Sequence, residues 1–287
     1  MPSFCFIVTE ECNWKCDYCD FPKIKDPKST TLSILETHLP YIVEIINQID
    51  QFVYHIDIAG GEVGLLNSEI LRYFFKILNR KIVVSTNGVF MDKGYHHDPE
   101  IRPFIKEIQW HVHPKPHKVK VKDYIDSEIF INKGIVHDNV QEMIDFINEN
   151  KHIEFNYVEF EFPMEGKRIK DDSMYRDLLE NINLDNVTEG ARDIIRGRLN
   201  ERENLRSLCK KFNQTAVIDM VNENIMFCHR SQGVTIPLNR NNLLERIRKF
   251  PNRTFSFQTK CDSCTRLYAG KMSGNEIETF FKVRNMI

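Results

Sequence analysis

The sequence predicts an α/β fold, a partial (β/α)6 barrel followed by a small α+β annex built on a β-hairpin. Three observations predict it. Six apolar or alternating stretches between residues 3 and 163 are interleaved with segments of helical periodicity, the order that produces parallel strands and right-handed crossovers. Two later apolar runs, Thr215 to Met220 and Ile225 to Cys228, flank the polar turn Val221-Asn222-Glu223-Asn224 and read as a hairpin. The length, 287 residues, is room for one large domain or for one domain plus a small annex. We accordingly divide the chain into a barrel over 1–200 and an annex over 201–287.

In chain order, strands are expected at 3–9, 52–59, 81–85, 107–113, 127–135 and 153–163. Helices are expected at 31–49, 67–79 and 138–150, where Val140, Met143, Ile144 and Ile147 share one face. Ser29, Thr30 and Thr31 offer N-caps for the first helix, and Pro40 is expected to kink it. After the fourth strand, His111 to Lys122 shows no helical pattern and holds three His and four Lys.

Composition narrows the function. Hydrophobic residues are 41% and aromatics 11%, ample for a core, and 12 Gly with 11 Pro are too few for a disordered chain. Against 41 acidic residues stand 39 Lys plus Arg, so the net charge of −2 disfavours a protein that grips nucleic-acid phosphates. No apolar run approaches the roughly 18–20 residues that span a bilayer. The eight cysteines are Cys5, Cys12, Cys16, Cys19, Cys209, Cys228, Cys261 and Cys264. A chain this large, without a signal pattern at its start, is expected to be cytoplasmic and reducing, with cysteines that bind metal rather than each other.

Cys12, Cys16 and Cys19 form a C-x3-C-x2-C, close enough to wrap one metal centre at little loop-closure cost. Structural zinc would need a fourth Cys or His, and the nearest, His38, falls in a helix. A four-iron cluster tolerates three thiolates and leaves one iron open. Cys5 sits among Phe4, Phe6 and Ile7 and reads as a small core residue, with hydrogen donation to a radical as the minor alternative.

The C-x3-C-x2-C after an apolar strand, with Tyr18 before its last cysteine, resembles that of the radical S-adenosylmethionine (radical SAM) superfamily. Ile58-Ala59-Gly60-Gly61-Glu62 is similar to its GGE element after the second strand, and Val84-Ser85-Thr86-Asn87-Gly88 to its STNG element after the third. The resemblance implies a partial TIM-like barrel, a [4Fe-4S] cluster on the three cysteines, and SAM chelating the open iron. It also implies SAM contacts from Tyr18, Gly60, Gly61, Glu62, Ser85 and Asn87. Gly60 and Gly61 are expected to let backbone approach the methionine groups, Glu62 to pair with the ammonium, and Ser85 and Asn87 to meet the ribose. Barrel geometry agrees, because all three loops follow strand C-terminal ends and converge on one rim.

At the same rim, His111 and His113 share a strand face by period two and are candidates for contact or proton acceptance; the alternative is a stabilised rim with solvated lysines. Glu159 and Glu161 also share a face, as catalytic carboxylates if turned to the lumen and structural ones if turned to the helices.

Cys209, Cys228 and the later Cys261-x2-Cys264 can ligate zinc or a second four-iron cluster. The arrangement is similar to the short "twitch" form of the SPASM annex, which implies a closed auxiliary cluster that carries electrons. The resemblance then implies reductive SAM cleavage, a 5′-deoxyadenosyl radical and hydrogen abstraction, fed by an external donor such as flavodoxin or ferredoxin. Dehydrogenation of a small polyol, amino sugar or related metabolite is the expected outcome. Maturation of a ribosomally made peptide is the alternative; the few residues before the first strand disfavour a leader-binding domain. Nucleic-acid modification or binding through Lys115 to Lys122 and Arg240 to Arg253 ranks below both.

Overall fold

A computed structural model describes residues 3–16, 19, 21, 24–48, 55–112, 123–137, 139–160, 173–193, 215–226 and 236–239. Its described strands form one sheet, ordered β6-β5-β4-β3-β2-β1-β7-β8-β9. The six expected strands are β1 (Ser3–Thr9), β2 (His55–Gly60), β3 (Ile82–Thr86), β4 (Ile105–Val112), β5 (Phe130–His137) and β6 (Tyr157–Phe160). Each pairs in parallel with its sequential neighbour, as βα repetition requires.

The expected helices are α1 (Leu32–Gln48), α2 (Ser68–Leu78) and α4 (Val140–Glu149), and each begins on a side-chain cap. Thr31 Oγ1 accepts the Ile34 N–H (3.3 Å), Asn67 Oδ1 that of Glu69 (2.8 Å), and Asn139 Oδ1 that of Gln141 (3.0 Å). Helix α1 runs through Pro40 to Gln48. Between β3 and β4 the crossover is a short α3 (Val89–Asp92) and two 3₁₀ turns, and α5 (Ser173–Asn181) follows β6.

Two strands start later than their apolar pattern. Asp126 Oδ1 accepts the N–H groups of Glu128 (2.8 Å) and Ile129 (2.9 Å), which turns the chain before it can enter β5. Phe155 bonds the backbone beside Val187, so β6 begins only at Tyr157.

Alternation divides the sheet. Phe4, Phe6 and Val8 of β1, with Ile58, Val84, Ile108 and Trp110 of the next strands, are buried in the core that α1 and α2 cover. Phe6 meets Phe74 of α2 edge to face, ring centroids 5.2 Å apart. Residues of opposite parity line the inner face, where Ser85, Gln109 and Asn132 stand in one row and His111, Gly134 and Tyr157 in the next.

The hairpin is present as β7 (Thr215–Asp219) and β8 (Asn224–Met226), followed by β9 (Ile236–Pro237). Its first arm pairs in parallel with β1, from Ser3 with Thr215 to Ile7 with Asp219, so it continues the barrel sheet. The division at residue 200 lies outside the described residues. Cys5 is half-buried and packs, with Phe21, against Ile7, Val217 and Val221. No helix among the described residues is long and apolar enough to cross a membrane.

Candidate functional site

The loop that carries Cys12, Cys16 and Cys19 is closed at its neck. Glu10 and Thr30 donate backbone bonds to Lys28 (2.7 Å) and Val8 (2.9 Å), and the Thr9 hydroxyl meets the Ser29 hydroxyl at 2.7 Å. Glu10 also accepts the Asn222 side-chain amide (2.8 Å), which ties the hairpin turn to this neck. None of the three cysteines is in a disulfide, all are half-buried, and the Cys19 N–H donates to the Cys16 carbonyl (3.1 Å). Three thiols on one pinned loop fit the ligand set of a cluster with one open iron. Burial pushes the Cys12 thiol up to about 11, so metal binding there must expel a proton.

Gly60 and Gly61 bring the end of β2 onto this neck. The Gly61 N–H donates to the Thr9 carbonyl and the Glu62 N–H to the Glu11 carbonyl, both at 2.7 Å. Gly60 holds φ +142°, and a β-carbon on either residue would overlap the carbonyl oxygen of Thr9 or Glu11. The close approach these glycines permit is therefore to the base of the cysteine loop, a role beyond the expected one toward a ligand.

Glu62 is held within the chain itself. Its side chain is fully buried. Oε1 accepts from the Gly64 N–H and the Thr86 hydroxyl, and Oε2 from the Asn87 N–H, each at 2.7 Å. With both oxygens engaged, the carboxylate braces the loops after β2 and β3. Burial raises its pKa against these donors. Thr86, which sequence reasoning passed over between Ser85 and Asn87, completes the brace by accepting the Gly88 N–H (3.0 Å). No local pattern marks it, because the bond to Glu62 joins the ends of two different strands.

Asn87 turns its amide to the cysteine loop: Nδ2 donates to Asn13 Oδ1 (2.9 Å) and lies 3.8 Å from Cys12 Sγ. Ser85 stays on the inner face, half-buried, in register with Gln109. Neither side chain is used in a hydrogen bond by the described residues, whereas Asn132 in the same row donates to Glu107 (2.8 Å). His111 lies one step nearer the rim, its ring 6.0 Å from that of Tyr157, which stacks over Gly134. Gln109 and Tyr157 were not singled out from sequence, since polar residues in a strand do not reveal which face they take. Register puts position 159 on the face of Tyr157.

Tyr18, His113, Glu161, Cys209, Cys228, Cys261, Cys264 and the Glu159 side chain lie outside the described residues. His38 is buried in α1 and bonded to Glu223 (2.7 Å), so it is occupied there. Elsewhere among the described residues, His96, His97 and Asp126 bring ligand atoms within 4.8 Å of one another. Arg102 already gives Asp126 two bonds of 2.8 and 3.0 Å, and its guanidinium takes the place of a cation.

No family model and no curated protein matches the chain. Among solved structures it is similar to native anSMEcpe with bound AdoMet over 99% of this chain and 96% of that one, at 15% identity and TM-score 0.57. The complex of native anSMEcpe with AdoMet and the Cp18Cys peptide is similar over the same shares, at 17% identity and TM-score 0.54. At such identity the likeness is one of architecture, and it extends over nearly the whole chain: this protein has the fold of anSMEcpe.

Proposed function

We propose that the chain is a radical SAM enzyme that oxidises a small hydroxyl-bearing metabolite, a polyol, amino sugar or relative, on the inner face of its sheet. The observation that carries the reading is the neck-closed loop of Cys12, Cys16 and Cys19, bound to the ends of β2 and β3 through Gly61, Glu62 and Asn87. Cys12, Cys16 and Cys19 would hold a [4Fe-4S] cluster with one open iron, beside which SAM binds. Cys209, Cys228, Cys261 and Cys264 would hold a second, closed cluster. When bound, these groups supply one-electron cleavage of SAM, a radical that removes a hydrogen atom from a C–H bond, and an acceptor for the electron left behind.

The chain's own part is to orient and to move a proton. Backbone at Gly60 and Gly61 and the Ser85 hydroxyl stand at the rim that SAM would occupy. Ser85 and Gln109 present unspent hydrogen-bonding groups to a polar substrate, which the apolar edge of Tyr157 keeps in place. His111, with His113, Glu159 and Glu161 as further candidates, takes the hydroxyl proton as the carbonyl forms. Flavodoxin or ferredoxin is the expected electron source.

Maturation of a ribosomally made peptide is the second reading. It is favoured by the fold shared with a protein that binds the Cp18Cys peptide. Anaerobic reconstitution tests the main claim: about eight irons per chain and release of 5′-deoxyadenosine with SAM and reductant are expected. About four irons with zinc removes the second cluster. No 5′-deoxyadenosine, with polyols or peptides supplied, defeats the radical reading.

A further inference from the structure

Asn87 is anchored twice before its amide nitrogen is counted. Its N–H is held by the buried Glu62 carboxylate (2.7 Å), and its Oδ1 accepts the Val89 N–H (3.4 Å) as α3 begins. The amide nitrogen is thereby aimed at the cysteine loop, where Asn13 Oδ1 lies at 2.9 Å and Cys12 Sγ at 3.8 Å. The Val89 N–H only donates and so fixes this orientation, and the Asn13 oxygen and the sulfur are acceptors consistent with it. The Trp14 N–H reaches the same sulfur at 3.4 Å. Cys12 therefore has two N–H donors in place, one local and one delivered from the end of β3.

We propose that Asn87 is a positioning residue for the Cys12 sulfur, donating to it in the cluster-loaded protein and favouring the reduced state of the cluster. This rests on the reading of Cys12, Cys16 and Cys19 as cluster ligands. A hydrogen bond to a ligating sulfur is worth most when the centre carries its extra negative charge, so each such donor raises the reduction potential. The role is distinct from a contact with SAM, because it is exerted on the Cys12 sulfur, 3.8 Å from the amide nitrogen. It also explains the brace beneath it: Glu62 and Thr86 fix the backbone from which the amide reaches across.

The test follows the reduced-cluster EPR signal that shifts on adding SAM, and titrates its potential without SAM in wild type, N87S and N13A. Serine keeps an oxygen for the Val89 N–H but is too short to reach the sulfur; N13A keeps the sulfur contact and removes the other acceptor. We expect N87S to move to a more negative potential and N13A to stay close to wild type, with unchanged melting of both. A folded N87S that loads no cluster, beside an N13A that does, supports the same role. An unmoved N87S potential, or equal shifts in N87S and N13A, overturns it, even if N87S binds SAM less well. Absence of any iron–sulfur signal in wild type defeats the underlying reading instead.

Discussion

Replacing Gly61 by alanine tests whether the end of β2 is pressed against the cysteine loop. A β-carbon there lies 2.6 Å from the carbonyl carbon of Glu11 and 2.8 Å from that of Glu10, and nearer still to the Glu11 oxygen. Ordinary carbon contacts begin at about 3.5 Å, so the two backbones must separate by about 1 Å, one residue from Cys12. Backbone cannot swing aside as a long side chain would. Overpacking of this kind costs about 1–3 kcal/mol, and parting the bond from the Glu62 N–H to the Glu11 carbonyl adds about 1 kcal/mol. A loss of roughly 3 kcal/mol lowers the melting temperature by roughly 6–12 °C in a chain of this size. Gly94→Ala is the control: Gly94 holds φ +73° with nothing within 4 Å of the added carbon. Its cost is about 1–2 kcal/mol of left-handed strain, with no backbone of the cysteine loop in the way of the added carbon. Thermal melts by circular dichroism, with iron counted after anaerobic reconstitution, decide the matter. G61A should melt lower than G94A and hold less iron on the first cysteine set. Equal melting and equal iron in the two variants would refute the reasoning.

Thr86→Val should cost about 1–2 kcal/mol, since it leaves a buried Glu62 oxygen short of a donor and Gly88 short of an acceptor, while Thr86→Ser restores most of it; urea midpoints of the three proteins check this. Arg102 holds the Asp126 carboxyl well below the usual aspartate range. The stabilisation is therefore fully present above about pH 4 and drains away as pH falls below it. The stability gap between wild type and D126N should shrink between pH 6 and pH 3, and a constant gap would remove the pairing from the account. Replacing Cys12, Cys16 and Cys19 together by alanine should remove about four irons and all 5′-deoxyadenosine release, measured by iron assay and chromatography. Gly134→Ala should overlap the Tyr157 ring and push it from its place beside His111, which a changed tyrosine near-ultraviolet circular dichroism signal would register.

Much of the architecture was legible because it rests on local patterns. Period-two and helical runs place six strands and three helices to within a few residues, and the caps at Thr31, Asn67 and Asn139 are short-range bonds. The spacing of Cys12, Cys16 and Cys19, and the position of Gly60 and Asn87 at strand ends, likewise need only chain order and the rule that βα barrels gather such ends on one rim. Tertiary structure decided which way each group faces. That Glu62 braces two loops depends on Thr86 and Asn87 arriving from another strand. Whether β7 stands apart or lies beside β1 depends on pairing across some two hundred residues. Such contacts join segments remote in sequence, and no local propensity encodes their direction. What the sequence determined by itself was the set of chemical groups and the rim they share; what only the fold decided was that a buried acid aims an amide from β3 at the first cysteine.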